Sequence, residues 1–163
     1  MKILSLIILS IGLQACVSYS FVDGSINAQT FSVAVFEEQA ANAPAGYGAQ
    51  FTDFLKDFMI GRTKLKLKNL DSDIQISGKI TNYNTAPLSV QSNSESAALN
   101  RLTIGIAVTA INLIDDKESF EKTFSQFSDY DAGQDLSAVE TELLDDINNK
   151  IAQDIVNKLS SNW

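Results

Sequence analysis

The sequence predicts an α+β domain, a two-layer sandwich in which two helices pack on one face of a four-stranded mixed sheet, in the order β-α-β-β-β-α. Four segments alternate apolar and polar residues at the strand period. Two others repeat apolar residues every three or four positions, the signature of a helix with one buried stripe. The strand-helix-strand start allows a right-handed parallel crossover, after which the links read as antiparallel.

The first strand spans 30–36, with Phe31, Val33 and Val35 on one side. Residues 37–48 contain Pro44, Gly46 and Gly48 and form a loop. Phe51, Phe54, Leu55, Phe58 and Met59 then recur at helical spacing with Asp53, Lys56 and Asp57 outward, and Gly61 is the expected C-cap of a helix over 49–60. Residues 64–68 alternate Lys with Leu, an extended exit from the helix, and Asp71 and Asp73 mark a turn.

In the next strand, 74–83, Ile74, Ile76 and Ile80 share one face and Gly78 marks a bend. Residues 85–100, rich in Ser, Asn, Ala and Gln with Pro87 inside, read as a long polar loop. The longest strand, 102–114, carries Leu102, Ile104, Ile106 and Val108 on one face. Its other face, with Gly105, Ala107 and Thr109, is small enough for something to approach closely. After a charged connection at 115–119, residues 120–130 fit either period through Phe120, Phe124 and Phe127. Their Thr, Ser and Phe content, directly after a hairpin turn, favours a strand. Ser137-Ala138-Val139-Glu140 reads as a capping box. Behind it Val139, Leu143, Leu144, Ile147, Ile151, Ile155 and Leu159 form the stripe of a helix reaching Ser160, and the terminal Trp163 is expected to pack on the core.

Ahead of this domain, Lys2 precedes an apolar run over 3–13, followed by Leu13-Gln14-Ala15-Cys16. A positive charge, a short apolar run and a small residue before a cut are the parts of a secretory signal. The run is shorter than the roughly twenty residues a bilayer span needs. Cleavage between Ala15 and Cys16 leaves Cys16, the only cysteine, as the acylated first residue; a lone exported cysteine has no intramolecular disulfide partner. The expected division is a signal peptide over 1–15, a lipidated tether over 16–29 and a single domain over 30–163. Several acyl chains give a firm anchor where one gives marginal binding. Val17 follows the cysteine where inner-membrane retention commonly uses Asp, which directs the protein to the outer membrane.

The chain has 12 basic and 20 acidic side chains, no histidine and a net charge of −8. That balance disfavours nucleic acid, whose binding rests on Lys and Arg at phosphates, and argues against a broad basic patch for anionic lipid. Without histidine, and with its single thiol acylated, the chain has no His-based triad, cysteine nucleophile or ordinary zinc site. Gly46-Tyr47-Gly48 lacks the third glycine and the lysine of a phosphate loop. Asp129, Asp131, Asp135 and Glu140 match positions 1, 3, 7 and 12 of a calcium loop, but Gly133 and Gln134 occupy positions 5 and 6. A turn followed by a capped helix explains the same residues. Asp115-Asp116 and Asp145-Asp146 read as solvated faces. No catalytic residue, metal or cofactor is expected.

The cleavage motif, the strand over 30–36, the helix near 51–59, the segment 76–91, the block Ala97-Ala98-Leu99-Asn100-Arg101-Leu102-Thr103-Ile104, the Thr123-Phe124-Ser125 strand and the terminal helix before Asn162-Trp163 together resemble the LptE family. The resemblance covers the whole mature chain in order and texture. It implies two helices on a four-stranded sheet and a non-enzymatic outer-membrane lipoprotein that plugs the LptD β-barrel, aids its assembly and serves lipopolysaccharide transport to the cell surface. It also places candidate contacts to the barrel or to lipopolysaccharide at Ser92, Asn93, Asn100 and Arg101. Members that bind lipopolysaccharide use basic side chains between the second and third strands and near the start of the last helix. Here 89–100 and 130–137 hold no Lys or Arg, and Arg101 is the nearest positive charge. The alternative is a stand-alone outer-membrane lipoprotein that binds a lipid or an envelope polymer. That reading needs a sizeable pocket between sheet and helices, where a plug needs a packed convex body.

Overall fold

The structure is a computed structural model that describes residues 26–88 and 98–161. Its elements run β1 (Thr30–Val33), β2 (Glu37–Glu38), α1 (Tyr47–Arg62), β3 (Lys66–Leu67), β4 (Ile74–Leu88), β5 (Leu99–Asn112), a 3-10 turn (Asp116–Glu118), β6 (Phe120–Asp131) and α2 (Leu136–Ser160). The sheet order is β3-β1-β4-β5-β6, with β2 also on β4. β1 and β2 run parallel to β4, while β4, β5 and β6 form an antiparallel meander.

The α+β class is as expected, with more strands than four. β1 forms only the first half of the expected strand 30–36, with Val35 exposed rather than beside Phe31 and Val33, and β2 falls in the expected loop; both align along the same side of β4. The line breaks because the Phe36 N–H donates to Thr52 Oγ1 in α1 (2.9 Å) and its ring enters the core. β3 adds a two-residue edge where the Lys-Leu alternation leaves the helix. Gly78 is needed less for a bend than for room. A Cβ there would lie 2.3 Å from the Ala107 carbonyl oxygen and 2.4 Å from Phe36 Cε1.

β4 carries a register shift between Ile80 and Asn82, so Thr81 is the extra residue and Tyr83, not Asn82, points to the helices. Residues 120–131 form a strand, with Phe120 and Phe124 toward α2 and Phe127 on the opposite face. The polar stretch 85–100 contributes more strand than its composition predicts: β4 continues to Leu88 and β5 starts at Leu99. Main-chain pairing carries these ends without apolar alternation. Pro87 is tolerated because β4 beyond Ile80 pairs only with β5 among the described residues.

The end of α1 and the start of α2 differ from the sequence reading, while α2 ends at Ser160 as expected. α1 runs to Arg62 and its C-cap is Thr63 rather than Gly61, with the Thr63 N–H and Oγ1–H both donating to the Met59 carbonyl (2.9 and 2.8 Å). α2 starts from Asp135, so Ser137 already lies inside the helix and the expected capping box does not form. Glu140 accepts from the Tyr83 hydroxyl instead (2.5 Å). Phe31, Phe51, Leu55, Ile80, Ile104, Ile106, Ile147, Ile151 and Ile155 are fully buried between the two layers. Burial on this scale stabilises by roughly 25 cal/mol per Å² of apolar surface removed from water.

Candidate interaction surface

Because both helices cover one face, the other face of β4, β5 and β6 stays open. The strand register sets its rows: Ser77–Thr109–Glu121, Lys79–Ala107–Thr123, Asn82–Gly105–Ser125 and Asn84–Thr103–Phe127. The small side chains noted at Gly105, Ala107 and Thr109 therefore lie on the middle strand of a mostly uncharged face. The nearest approach to them is made by the neighbouring strand. A Cβ on Gly105 would stand 3.1 Å from the Asn82 Cβ, and the Thr81 hydroxyl donates to the Gly105 carbonyl (3.1 Å).

Arg101 sits at one end of this face. Its Nε and Nη2 donate to Oδ1 and Oδ2 of Asp129 at 2.7 and 2.9 Å, and its guanidinium carbon lies 3.6 Å from the Phe127 ring centroid. The hydrogen bonds from Arg101 hold the Asp129 carboxyl below the usual carboxylate range, against a smaller opposing push from burial. They also raise the Arg101 pKa. The positive charge nearest the polar loop is thus matched within the fold. Asn100, another candidate contact, pairs with Pro87 and Tyr130 across the sheet. Ser92 and Asn93 lie outside the described residues, as do Ala15, Cys16, the signal peptide, most of the tether and Trp163.

The acidic residues that match a calcium loop separate. Asp129 takes Arg101, Asp131 Oδ1 accepts the Gly133 N–H (2.7 Å), and Glu140 takes Tyr83. Among the described residues no three His, Cys, Asp or Glu side chains group closely enough to hold a metal ion.

Sequence reading missed a buried polar pair between the helices. The Tyr47 hydroxyl donates to Asn148 Oδ1 at 2.7 Å, and Tyr83 packs edge-on against Tyr47 with centroids 6.1 Å apart. Burial pushes the Tyr47 phenol up. Burial and then the Glu140 carboxylate do the same to Tyr83. The signal was available: Asn148 stands four residues from both Leu144 and Ala152 on an apolar stripe, where a polar side chain requires a partner.

Concavities lie at the margin. An open groove of about 490 Å³ runs between β6 and the end of α2, lined by Lys122, Phe124, Asp154, Asn157 and Ser161. A second, of about 460 Å³, adjoins it beside the 3-10 turn. Both mix charges of either sign.

The sequence model of the LptE family, described as lipopolysaccharide-assembly, matches residues 28–159. No curated protein matches the chain. Solved structures share the fold at low identity. A minor lipoprotein from Acinetobacter baumannii is 15% identical, with TM-score 0.52 over 83% of this chain and 94% of that one. A hypothetical protein from Chlamydia trachomatis is 9% identical, with TM-score 0.55 over 82% and 96%. An uncharacterized lipoprotein B from Nitrosomonas europaea is 15% identical, with TM-score 0.50 over 83% and 84%. With the family match spanning β1 to the last turn of α2, the chain belongs to the LptE family and has a role in lipopolysaccharide assembly.

Proposed function

We propose that the protein is an outer-membrane lipoprotein, cleaved between Ala15 and Cys16 and acylated on Cys16, that fills the lumen of an LptD-type β-barrel. It acts there without catalysis, as a plug and assembly partner in lipopolysaccharide transport to the cell surface. The observation that carries this reading is the shape of the domain. A filled core leaves an intact body, and one side of it is a sheet face made mainly of Ser, Thr, Ala, Gly and Asn, with Lys79, Glu121 and Phe127 among them. The walls of large barrels are polar inside and present alternating side chains from tilted strands. The small uncharged residues of this face can lie along such a wall without burying an unpaired charge, and Lys79 there is paired with Glu37 at 3.7 Å. Contact would then rest on shape and main-chain proximity, and Arg101, committed to Asp129, contributes to the fold of the face more than to a ligand.

The stand-alone binding reading has weaker support. It needs a cavity between the layers, and the space there is filled by side chains such as Phe51, Ile106 and Ile151. The marginal grooves offer mixed charge instead of an apolar chamber.

Two experiments test the proposal. A photoreactive residue placed at Thr103 should crosslink in cells to one β-barrel partner, while absence of any crosslink at Thr103 and Thr123 would contradict the plug. Radiolabelled palmitate should enter the wild type and not Cys16→Ser; equal labelling would remove the anchor.

A further inference from the structure

The described chain enters the domain beside a cluster of exposed apolar side chains. Asp73 organises this end. Its Oδ2 accepts the N–H groups of Gln29 and Thr30 at 2.8 and 2.9 Å, and its carbonyl accepts the Leu113 N–H at 2.8 Å. The Thr30 hydroxyl accepts the Asp73 N–H (2.9 Å), closing the knot. Three segments therefore meet here: the lead into β1, the turn between β3 and β4, and the chain leaving β5. Each of the last two exposes large apolar groups. Leu70 is 77% exposed, Leu113 62%, Ile114 53% and Ile111 43%. Ile111 and Leu113 alternate onto the open sheet face, and Ser72, two residues after Leu70, hydrogen-bonds Ser32 on the β1 side (2.7 Å).

A basic run borders the same end. Arg62, Lys64, Lys66 and Lys68 are all exposed and supply four of the twelve positive side chains of an acidic protein. Between Asp57 and Asp71 the sequence holds no acid. The segment directly after Ile114 is acidic at Asp115, Asp116 and Glu118, with Lys117 among them. Exposed apolar groups beside Lys and Arg are the composition of a surface that lies in a lipid interface.

We propose that this end is a second membrane contact. Leu70, Ile111 and Leu113 enter the acyl boundary of an anionic phospholipid surface, while Lys64, Lys66 and Lys68 meet its headgroup phosphates. The inference rests on acylation of Cys16, because the lead from Cys16 to Gln29, which reaches at most about 45 Å, joins the domain at the Asp73 end. Such an arrangement converts a tethered domain into an oriented one, since two contacts fix an axis where one does not.

The test uses the full lipidated protein with a single added thiol, Leu70→Cys, Leu113→Cys or, at the opposite end, Gln134→Cys. Cys16 is acylated, so only the new thiol takes an environment-sensitive dye. Labelled protein is placed on vesicles of phosphatidylethanolamine and phosphatidylglycerol, with and without bromine on the acyl chains. Emission from positions 70 and 113 should fall about two-fold on bromination and that from 134 should not change. Combining Lys64→Gln, Lys66→Gln and Lys68→Gln should lessen that quenching; unchanged quenching would overturn the headgroup contact. If 70 and 113 behave like 134 on protein that sediments with the vesicles, the second contact is wrong and the anchor stands. Blue-shifted emission without bromine quenching would mean a protein cover, either the barrel or the tether residues Tyr19, Phe21 and Val22, and would equally overturn it. Protein left in the supernatant would overturn the anchor, and the second contact with it.

Discussion

Arg101 and Asp129 face each other across β5 and β6 and join through two parallel hydrogen bonds, with the guanidinium resting on Phe127. Matched in this way, the charge holds two strands together at the end of the sheet beside the polar loop. The Asp129 carboxyl is depressed in the fold and ordinary in the unfolded chain. Its contribution to stability is therefore fully present above the usual carboxylate range and is lost as pH falls through the folded value. Denaturant melts of wild type and Asp129→Asn should differ at neutral pH and converge in acid. A gap that widens in acid would contradict the pairing. The pair is partly exposed, so the gap should also shrink with salt.

Arg101→Gln should leave capture of the barrel intact while lowering the midpoint of unfolding. Loss of the partner from a still-folded Arg101→Gln protein would show that the guanidinium makes the contact.

Tyr47→Phe removes the donor from a buried Asn148 and should destabilise the domain by about 1–3 kcal/mol. Tyr47→Phe combined with Asn148→Leu should recover most of that loss, because no unpaired polar group is left inside. Strict additivity of the two changes in a double-mutant cycle would contradict the coupling.

Gly78→Ala puts a methyl group into the Ala107 carbonyl and the Phe36 ring at once. The expected cost is about 1–3 kcal/mol, as for other overpacked sites. Trimming Phe36 to Leu should relieve only part, since the carbonyl is main chain and cannot move away. A neutral Gly78→Ala would show that Phe36 and β5 sit further from β4.

Asp73 is held low chiefly by the main-chain N–H groups of Gln29 and then Thr30. The unfolded value is ordinary, so the stabilisation this carboxylate adds is present above the usual carboxylate range and disappears as pH drops through the folded value. Asp73→Ala should speed amide exchange at Gln29 and Thr30 several-fold at neutral pH while amides within β5 stay protected. Equal exchange in both proteins would mean that the carboxylate does not fix the chain entry.

Much of this architecture was legible because it follows periodicity. The stripe from Leu143 to Leu159 and the alternation at Ile74–Ile80 and Leu102–Val108 report burial directly, and each forms the element it predicts. Segment 120–130 fits a helical period as well as a strand, and its Thr, Ser and Phe content favours the strand that forms. What escaped depends on partners distant in sequence. Asp73 reads as a turn residue until Gln29 and Leu113 are beside it, and Glu140 reads as half of a capping box until Tyr83 arrives. The break between β1 and β2 reflects Thr52, sixteen residues away from Phe36. For the interaction surface, the small face of β5 was visible in Gly105, Ala107 and Thr109, whereas its flanking rows from β4 and β6 required the register.

The most direct test of the central claim is purification through a C-terminal tag from outer membranes extracted in mild detergent. The account predicts a near-stoichiometric β-barrel of the LptD type in the eluate, together with a single lipidated copy of this chain. Recovery of the lipoprotein alone, under conditions that keep other barrel complexes whole, would contradict it.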